Sequence, residues 1–127
     1  MKRTLILTLA VLACALAVCA ASLAALNDTV DRAERMQSQA VLAANEHRMA
    51  DAKTLMASLA EFWSDRAGLM EVLASHDALH DVDAAIAEAQ ICLECEDHDD
   101  FLRTMSTVRA GLTHLKDEEA LRLSNLY

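Results

Sequence analysis

Hydrophobic and polar residues follow one another with the period of an α-helix along most of this chain. Three stretches have apolar residues spaced near 3.6 positions, a pattern typical of amphipathic helices. Residues 48–74 carry Met49, Ala52, Met56, Leu59, Trp63, Met70 and Leu73; residues 78–95 carry Leu79, Val82, Ile86, Ala89 and Leu93; the third stretch carries Phe101, Leu102, Met105, Val108, Leu112 and Leu115. The pattern therefore predicts three amphipathic helices.

A weaker pattern precedes them, between residues 30 and 44. Its apolar positions are small and scattered: Val30, Ala33, Val41 and Ala44. We expect a helix here that continues outward from the apolar segment before it.

Short polar segments separate the predicted helices, at 45–47, 75–77 and 96–100. Asn45, Ser75 and Asp97 are candidate N-caps, because their short side chains accept hydrogen bonds from first-turn amides. Short connections favour antiparallel neighbours. The prediction is an all-α fold, in which an N-terminal membrane helix is followed by an antiparallel four-helix bundle of two α-hairpins. The hairpins resemble a diverged repeat, with turns at His47 and His98.

Residues 4–26 contain no charged side chain and follow Met1-Lys2-Arg3. As a helix these 23 residues would be about 34 Å long, enough to cross a bilayer. This predicts a cytoplasmic tip at 1–3, a transmembrane signal-anchor helix at 4–26 and an extracytoplasmic helical domain at 27–127. The alternative is a cleaved signal peptide, whose apolar region usually has about 7–15 residues.

Two short motifs keep that alternative open. Val18-Cys19-Ala20 has the small residues of a cleavage site, and Leu12-Ala13-Cys14 loosely resembles a lipoprotein attachment site. The length of the run favours an uncleaved anchor. Cleavage would change the attachment and leave the domain on the same side of the membrane.

The charges that flank the apolar run predict its orientation. Lys2 and Arg3 precede it, whereas Asp28 and Asp31 follow it. The positive-inside rule therefore places the N-terminus in the cytoplasm and the rest of the chain outside, at the cell membrane.

All 20 acidic residues and nine of the 11 basic residues lie after the run, which gives that part a net charge of −11. This balance argues against nucleic acid or anionic lipid headgroups as its main partner. The whole sequence has no proline and two glycines, which also favours helices over a turn-rich β fold.

Cysteine and histidine residues raise the question of a metal site. His76 and His80, together with Cys92 and Cys95, contain ligand types that zinc prefers. If residues 78–95 form one helix, however, His80 and Cys92 lie about 18 Å apart along its axis. That four-ligand site is excluded unless the helix breaks.

A closer set lies at the turn between the last two helices, where Cys92, Cys95 and His98 are neighbours and His47 is expected at the same end of the bundle. These four residues are the candidate ligands for zinc or a similar metal. The alternatives are a disulfide between Cys92 and Cys95, or free cysteines that fill the core. We predict no cofactor.

His76 and His114 are expected to meet at the membrane-proximal end of the domain. A pair of imidazoles there would titrate near neutral pH. The alternative is that both lie at helix ends, where His114 would interact with C-terminal carbonyl groups. Trp63 is expected in the core.

Several landmarks together resemble a known family. They are the basic start, the apolar run, Glu61-Phe62-Trp63, a connector from Ser75 to Asp83 that includes His76 and His80, and an ending with His114-Leu115 and residues 119–126. In this order they resemble domain-of-unknown-function family 4363, which comprises small single-span bacterial proteins.

The resemblance covers nearly the whole chain. It implies that five residues occupy recurring family positions: Trp63, His76, Asp83, His114 and Asn125. Cys92 and Cys95 depart from the family pattern. Because the family has no assigned activity, the resemblance supports the topology only.

No enzyme signature occurs: the chain lacks a Gly-rich phosphate loop, G-x-S-x-G and H-E-x-x-H. We therefore expect no catalytic activity. The hypothesis is a structural or protein-interaction module of the bacterial cell envelope; the alternative is a metal-binding or redox module that uses the Cys/His set.

The apolar run also suggests lateral association. Small residues recur at every fourth position, which places them along one face of the membrane helix and predicts a possible homodimer: Ala13, Ala17, Ala21 and Ala25.

Overall fold

The computed structural model describes the backbone of residues 1–125 and the side chains of residues 1–121. Within that range the chain forms five α-helices and no strand. The all-α prediction is confirmed. The helices are α1 (Lys2–Asn45), α2 (Met49–Asp65), α3 (Ala67–Leu73), α4 (His76–Glu94) and α5 (His98–Asn125).

Helix α1 is a single helix of 44 residues, which corresponds to a length of about 66 Å. Its side chains up to residue 21 are all exposed, and the first fully buried side chain is Leu26. The stretch 30–44 continues this helix, as expected from the sequence. One end of α1 thus projects from the folded domain and the other end belongs to its core.

The helices form two hairpins that pack on each other. Helix α1 packs on α2 and on α5, while α4 packs on α5 and on α2. The core is built from the apolar positions that the periodicity selects. The larger buried side chains are Leu26, Val30, Met56, Leu59, Trp63, Met70, Leu79, Val82, Ile86, Leu93, Phe101, Met105, Val108, Leu112 and Leu115.

The prediction of one helix over 48–74 is wrong in one respect, because this stretch forms two helices separated at Arg66. The Arg66 amide donates to the carbonyl oxygens of both Phe62 and Trp63, at 3.2 Å each. It therefore makes both the regular helical bond to residue i−4 and an additional bond to residue i−3. Gly68, which has low helix propensity, follows immediately. The break lets Met70 reach the core from α3.

The turns after α1 and α4 have the same construction. His47 and Glu96 adopt positive φ values of 59° and 57°. The amide of Arg48 donates to the Ala43 carbonyl at 2.8 Å, and the amide of Asp97 donates to the Cys92 carbonyl at 2.9 Å. Both turns are therefore Schellman endings in which a residue other than glycine takes the left-handed position.

Two of the three predicted N-caps are confirmed. The Ser75 hydroxyl accepts from the Ala78 amide at 3.2 Å, and the Asp97 carboxylate accepts from the Asp100 amide at 3.1 Å. The prediction for Asn45 is wrong, because it is the last residue of α1 and Arg48 precedes α2. The residues after Asn45 form the Schellman turn, so α2 starts later.

Polar contacts set the alignment of α1 and α5. The Gln37 side-chain amide, 3% exposed, donates to the carbonyl of Met105 at 3.1 Å. The Lys116 ammonium forms ion pairs with Asp31 and Glu34. Helix α5 therefore returns along α1 towards the exposed N-terminal segment.

Candidate functional site

The best-defined polar site of the domain surrounds Trp63, in the last turn of α2. The indole ring is 4% exposed, and its Nε1 donates a hydrogen bond of 2.5 Å to Oδ1 of Asp83 on α4. A buried indole N–H needs such an acceptor. This bond ties α2 to α4 across the core.

Helix α4 presents three polar side chains to this region. It begins at its Ser75 cap, so that His76, His80 and Asp83 follow at intervals of four and three residues and share one face. The rings of His76 and His80 are stacked, with centroids 6.4 Å apart and an angle of 18° between their planes. Both imidazoles are exposed on their outer side.

A small cavity of about 40 Å³ lies where α2, α3 and α4 meet. That volume holds roughly two or three waters, whereas sites for small organic ligands measure about 300–1,000 Å³. The cavity is therefore suited to water or a small ion. Its lining consists of Trp63, Ala67, Met70, Glu71, His76, Leu79, His80 and Asp83.

The electrostatic character of the cavity follows from that lining. It includes two carboxylates, Glu71 and Asp83, and two imidazoles, but no lysine or arginine. Its surroundings thus favour a cation over an anion.

Three of the family-like residues meet at this site: Trp63, His76 and Asp83. His114 lies on α5, away from the cavity lining, and its Nε2 is 3.3 Å from the Glu118 carboxylate. Helix α5 continues to Asn125, so His114 does not cap a helix end. The side chain of Asn125 lies outside the described residues.

The turns after α1 and α4, at the end of the domain far from the exposed segment, are called the distal turns. They bring two of the four candidate metal ligands together. The rings of His47 and His98 are stacked with centroids 6.0 Å apart. Cys92 is half-buried, with Sγ 3.9 Å from the Thr104 hydroxyl, whereas Cys95 is exposed. Among the residues with described side chains, no group of three or more His, Cys, Asp or Glu residues is placed so that it could hold a metal ion. Both cysteines are free thiols.

Charged residues surround these turns. Arg48 contacts Glu46 and Asp51 at 2.9 and 3.1 Å, and its hydrogen bonds to Asp51 and Glu46 raise its pKa. The amide of Asp100 holds the pKa of Asp97 below its usual value, while a hydrogen bond with Asp97 raises the pKa of Asp100. The distal end is therefore strongly acidic around its two histidines.

The face of α1 that carries Ala13, Ala17, Ala21 and Ala25, called the alanine face, is largely exposed. Ala13, Ala17 and Ala21 are exposed along the projecting segment, whereas Ala25 is half-buried where the domain begins. Among the described residues, α1 is the one helix long and apolar enough to cross a membrane.

The sequence did not single out the Trp63–Asp83 hydrogen bond, nor Glu71 as a neighbour of the two histidines. A signal was present on α4 itself, because His76, His80 and Asp83 have the spacing of one helix face. The position of Trp63 relative to that face depends on how the two hairpins pack, which the periodicity of a single helix does not specify.

Comparison with known proteins adds a family but no activity. No curated protein and no solved structure matches the chain. The family described as "Domain of unknown function (DUF4363)" matches residues 20–126, which include the packed part of α1 and the Trp63 site. The chain therefore belongs to this family, as its residues had suggested.

Proposed function

We propose that this protein is a non-catalytic, membrane-anchored interaction module, whose helical domain lies outside the cytoplasm and binds another protein of the bacterial cell envelope. The observation that carries the proposal is the double role of α1. Its first part is apolar and exposed, while its second part, from Leu26 to Ala44, lies in the domain core.

An exposed apolar helix in water is unfavourable, because burial of apolar surface contributes about 25 cal/mol per Å². Residues 4–21 present large aliphatic side chains on all sides, including Leu7 at 66% and Val11 at 68% exposed. A helix that is apolar all round suits a lipid bilayer. Lys2 and Arg3 at its start favour a cytoplasmic N-terminus.

At its best-defined polar site, the folded part favours binding over catalysis. The cavity beside Trp63 is too small for an organic substrate, and the core of the two hairpins is filled by aliphatic and aromatic side chains. The net charge of −11 after residue 26 favours a partner with basic surface groups and disfavours nucleic acid.

Topology is the first test. In a variant without the native cysteines, Ser106→Cys places a thiol on the exposed face of α5. A membrane-impermeant thiol reagent should label it in intact cells. A cysteine inserted after Met1 is the matched control and should be labelled only after lysis. The reverse pattern would overturn the proposed orientation.

The partner test uses the full chain in its native membrane. A photo-crosslinking amino acid is placed at single exposed positions on the outer faces of α2, α4 and α5. Support would be one defined envelope protein captured from adjacent positions on one face but not from the opposite face. Capture of lipid alone, or of unrelated proteins equally from all faces, would contradict an interaction role.

A second candidate function is metal binding or redox chemistry at the distal turns, favoured by the proximity of His47 and His98. Cys92 and Cys95 would supply sulfur ligands from the end of α4. Zinc bound by the purified protein should then be lost in a Cys92→Ser, Cys95→Ser variant. Unchanged zinc content would contradict this candidate.

Homodimer formation through α1 is a further part of the proposal. Ala17→Ile and Ala21→Ile keep the segment apolar but hold two helix backbones apart, so they should reduce the signal of a membrane two-hybrid assay. Ala15→Ile, on the opposite face, is the matched control. If all three variants associate as the wild type does, the alanine face is not the interface.

A further inference from the structure

We propose that the folded domain itself binds the lipid bilayer through α3, with Leu69 and Val72 in the headgroup layer of the extracytoplasmic leaflet. The inference rests on the membrane anchoring proposed above and adds a lipid-binding surface to the domain. Helix α3 would then be an interfacial helix as well as the connection between the two hairpins.

Helix α3 lies level with the point where α1 enters the domain. The Arg66 guanidinium, at the junction of α2 and α3, donates to the Thr29 hydroxyl at 3.5 Å. Thr29 comes three residues after Leu26, the first fully buried side chain of α1, which is about 4.5 Å along the helix axis. Helix α3 also packs directly on α1. It therefore lies beside the boundary between the exposed and buried parts of α1.

The length of the apolar run brings this boundary to the membrane surface. A hydrocarbon core of about 30 Å takes about 20 helical residues, so a span that begins at Thr4 ends near residue 23. Ser22 and Leu23 are already half-buried by the domain. Because α1 continues to Asn45 without a break, no linker separates the span from the domain. With the segment in a bilayer, this end of the domain would lie at the lipid surface.

Exposed apolar side chains occur at this same level. Val72 is 82% exposed and Leu69 is 39% exposed, and residues three apart on a helix share one face. Leu121 of α5 is 63% exposed. It also lies at this end, because Lys116, five residues before it, pairs with Asp31 of α1. Exposed apolar surface of this kind marks protein or membrane contacts, and its position beside the span favours lipid.

The other exposed aliphatic side chains do not form a comparable surface. Among residues 22–121 the remaining large ones are Leu42 and Ile91, both near the distal turns. They belong to α1 and α4, which do not pack on each other in the described part of the chain. Glu71, between Leu69 and Val72 in the sequence, is also exposed. Its charge disfavours anionic headgroups, so the proposed contact is apolar and needs no acidic lipid.

The test measures fluorescence quenching of a label on a single cysteine. The full chain, in a variant without the native cysteines, is reconstituted into phosphatidylcholine vesicles that contain a phosphatidylcholine with brominated acyl chains. Ile91→Cys is the matched control, because Ile91 is an exposed aliphatic residue near the distal turns. We expect bromolipid to quench the label at position 72 at least about twofold more than the label at position 91, since interfacial side chains lie about 5–10 Å into the boundary of headgroups and acyl chains.

A label at Val11→Cys, in the projecting segment, separates this proposal from the anchoring. If bromolipid does not quench it, the anchoring fails and the lipid contact of α3 fails with it. If position 11 is quenched but position 72 is quenched no more than position 91, the anchoring stands and the lipid contact is refuted. Iodide on both sides of the membrane tests the other occupant. Protection of position 72 from both iodide and bromolipid would indicate a second copy of the chain on this face and would overturn the proposal.

A second variant tests whether the apolar side chains make the contact. With the label at position 72, Leu69→Ser should reduce quenching by bromolipid, because it removes the apolar neighbour on the same face. Leu42→Ser, the matched control near the distal turns, should leave it unchanged. Equal quenching in all three chains would mean that the span alone brings α3 near the lipid, and would overturn the assignment of this face as a lipid-binding surface.

Discussion

The two glycines of the chain offer a matched test of how closely α4 and α5 pack. A Cβ atom added at Gly111 would lie 2.8 Å from Cγ2 of Val82, a side chain with no exposed surface. At Gly68, in α3, the same atom would meet nothing within 4 Å. Neither glycine has a positive φ. The same substitution should therefore have opposite effects at the two positions.

The magnitudes follow from two competing terms. Glycine to alanine in a helix contributes up to about 1 kcal/mol of stability through backbone propensity. Overpacking of a filled core removes about 1–3 kcal/mol. Gly68→Ala should therefore raise the free energy of unfolding by up to about 1 kcal/mol. Gly111→Ala should lower it by about 0–2 kcal/mol, the difference between the two terms.

The assay is urea unfolding of the full chain in mild detergent micelles, followed by the fluorescence of the single tryptophan, Trp63. Val82→Ala removes the methyl group that the new Cβ would meet. In that background Gly111→Ala should become stabilising, with a coupling energy of about 1–3 kcal/mol in the double-mutant cycle. If Gly111→Ala stabilises the wild-type chain as much as Gly68→Ala does, the close approach of the two helices is refuted.

Three further predictions concern the core, the turns and the interface of α1 with α5. Trp63→Ala should lower the free energy of unfolding by about 3–5 kcal/mol, because it empties a buried aromatic site; circular dichroism would measure this, and melting within a degree of the wild type would contradict it. Glycine at His47 or Glu96 should raise stability by about 1 kcal/mol in the same assay, because it removes the steric penalty of the left-handed conformation; a loss would indicate a role for the side chain. The hydrogen bond to Asp31 raises the pKa of Lys116 above 10.5, so its stabilising effect is present below that pH and is lost as pH rises through the raised pKa. As pH rises from neutral, the advantage of the wild type over Lys116→Met should decline only above about pH 10.5; a decline near neutral pH would refute the assignment.

The helices and most of the core could be predicted because their cause is local. An apolar side chain at every third or fourth position has one way to leave water, so Leu59, Leu93 and Met105 are buried as the periodicity indicates. Ser75 and Asp97 cap helices for an equally local reason. Asn45 has the same chemistry, but the chain uses the next residues to end α1, and that ending depends on where α2 packs.

The candidate site was harder to predict because it depends on contacts between hairpins. Trp63 and Asp83 are 20 residues apart and belong to different helices. The break at Arg66, which brings α3 with Glu71 beside α4, leaves the apolar period from Trp63 to Met70 unchanged. No pattern within one helix distinguishes a continuous helix from two packed segments there.

The continuity of α1 has a mechanical consequence for the membrane anchoring proposed above. No break separates the segment at 2–21 from the part that ends at Asn45. At a rise of about 1.5 Å per residue, the end of α1 lies about 36 Å along the helix axis from the end of the exposed segment. Because the helix is continuous, any tilt of the segment would displace His47 by a distance that grows with the length of the helix, and any axial rotation would turn His47 about the helix axis. With the exposed segment in the membrane, as proposed, the bilayer would thus set which face of the domain is presented to its surroundings.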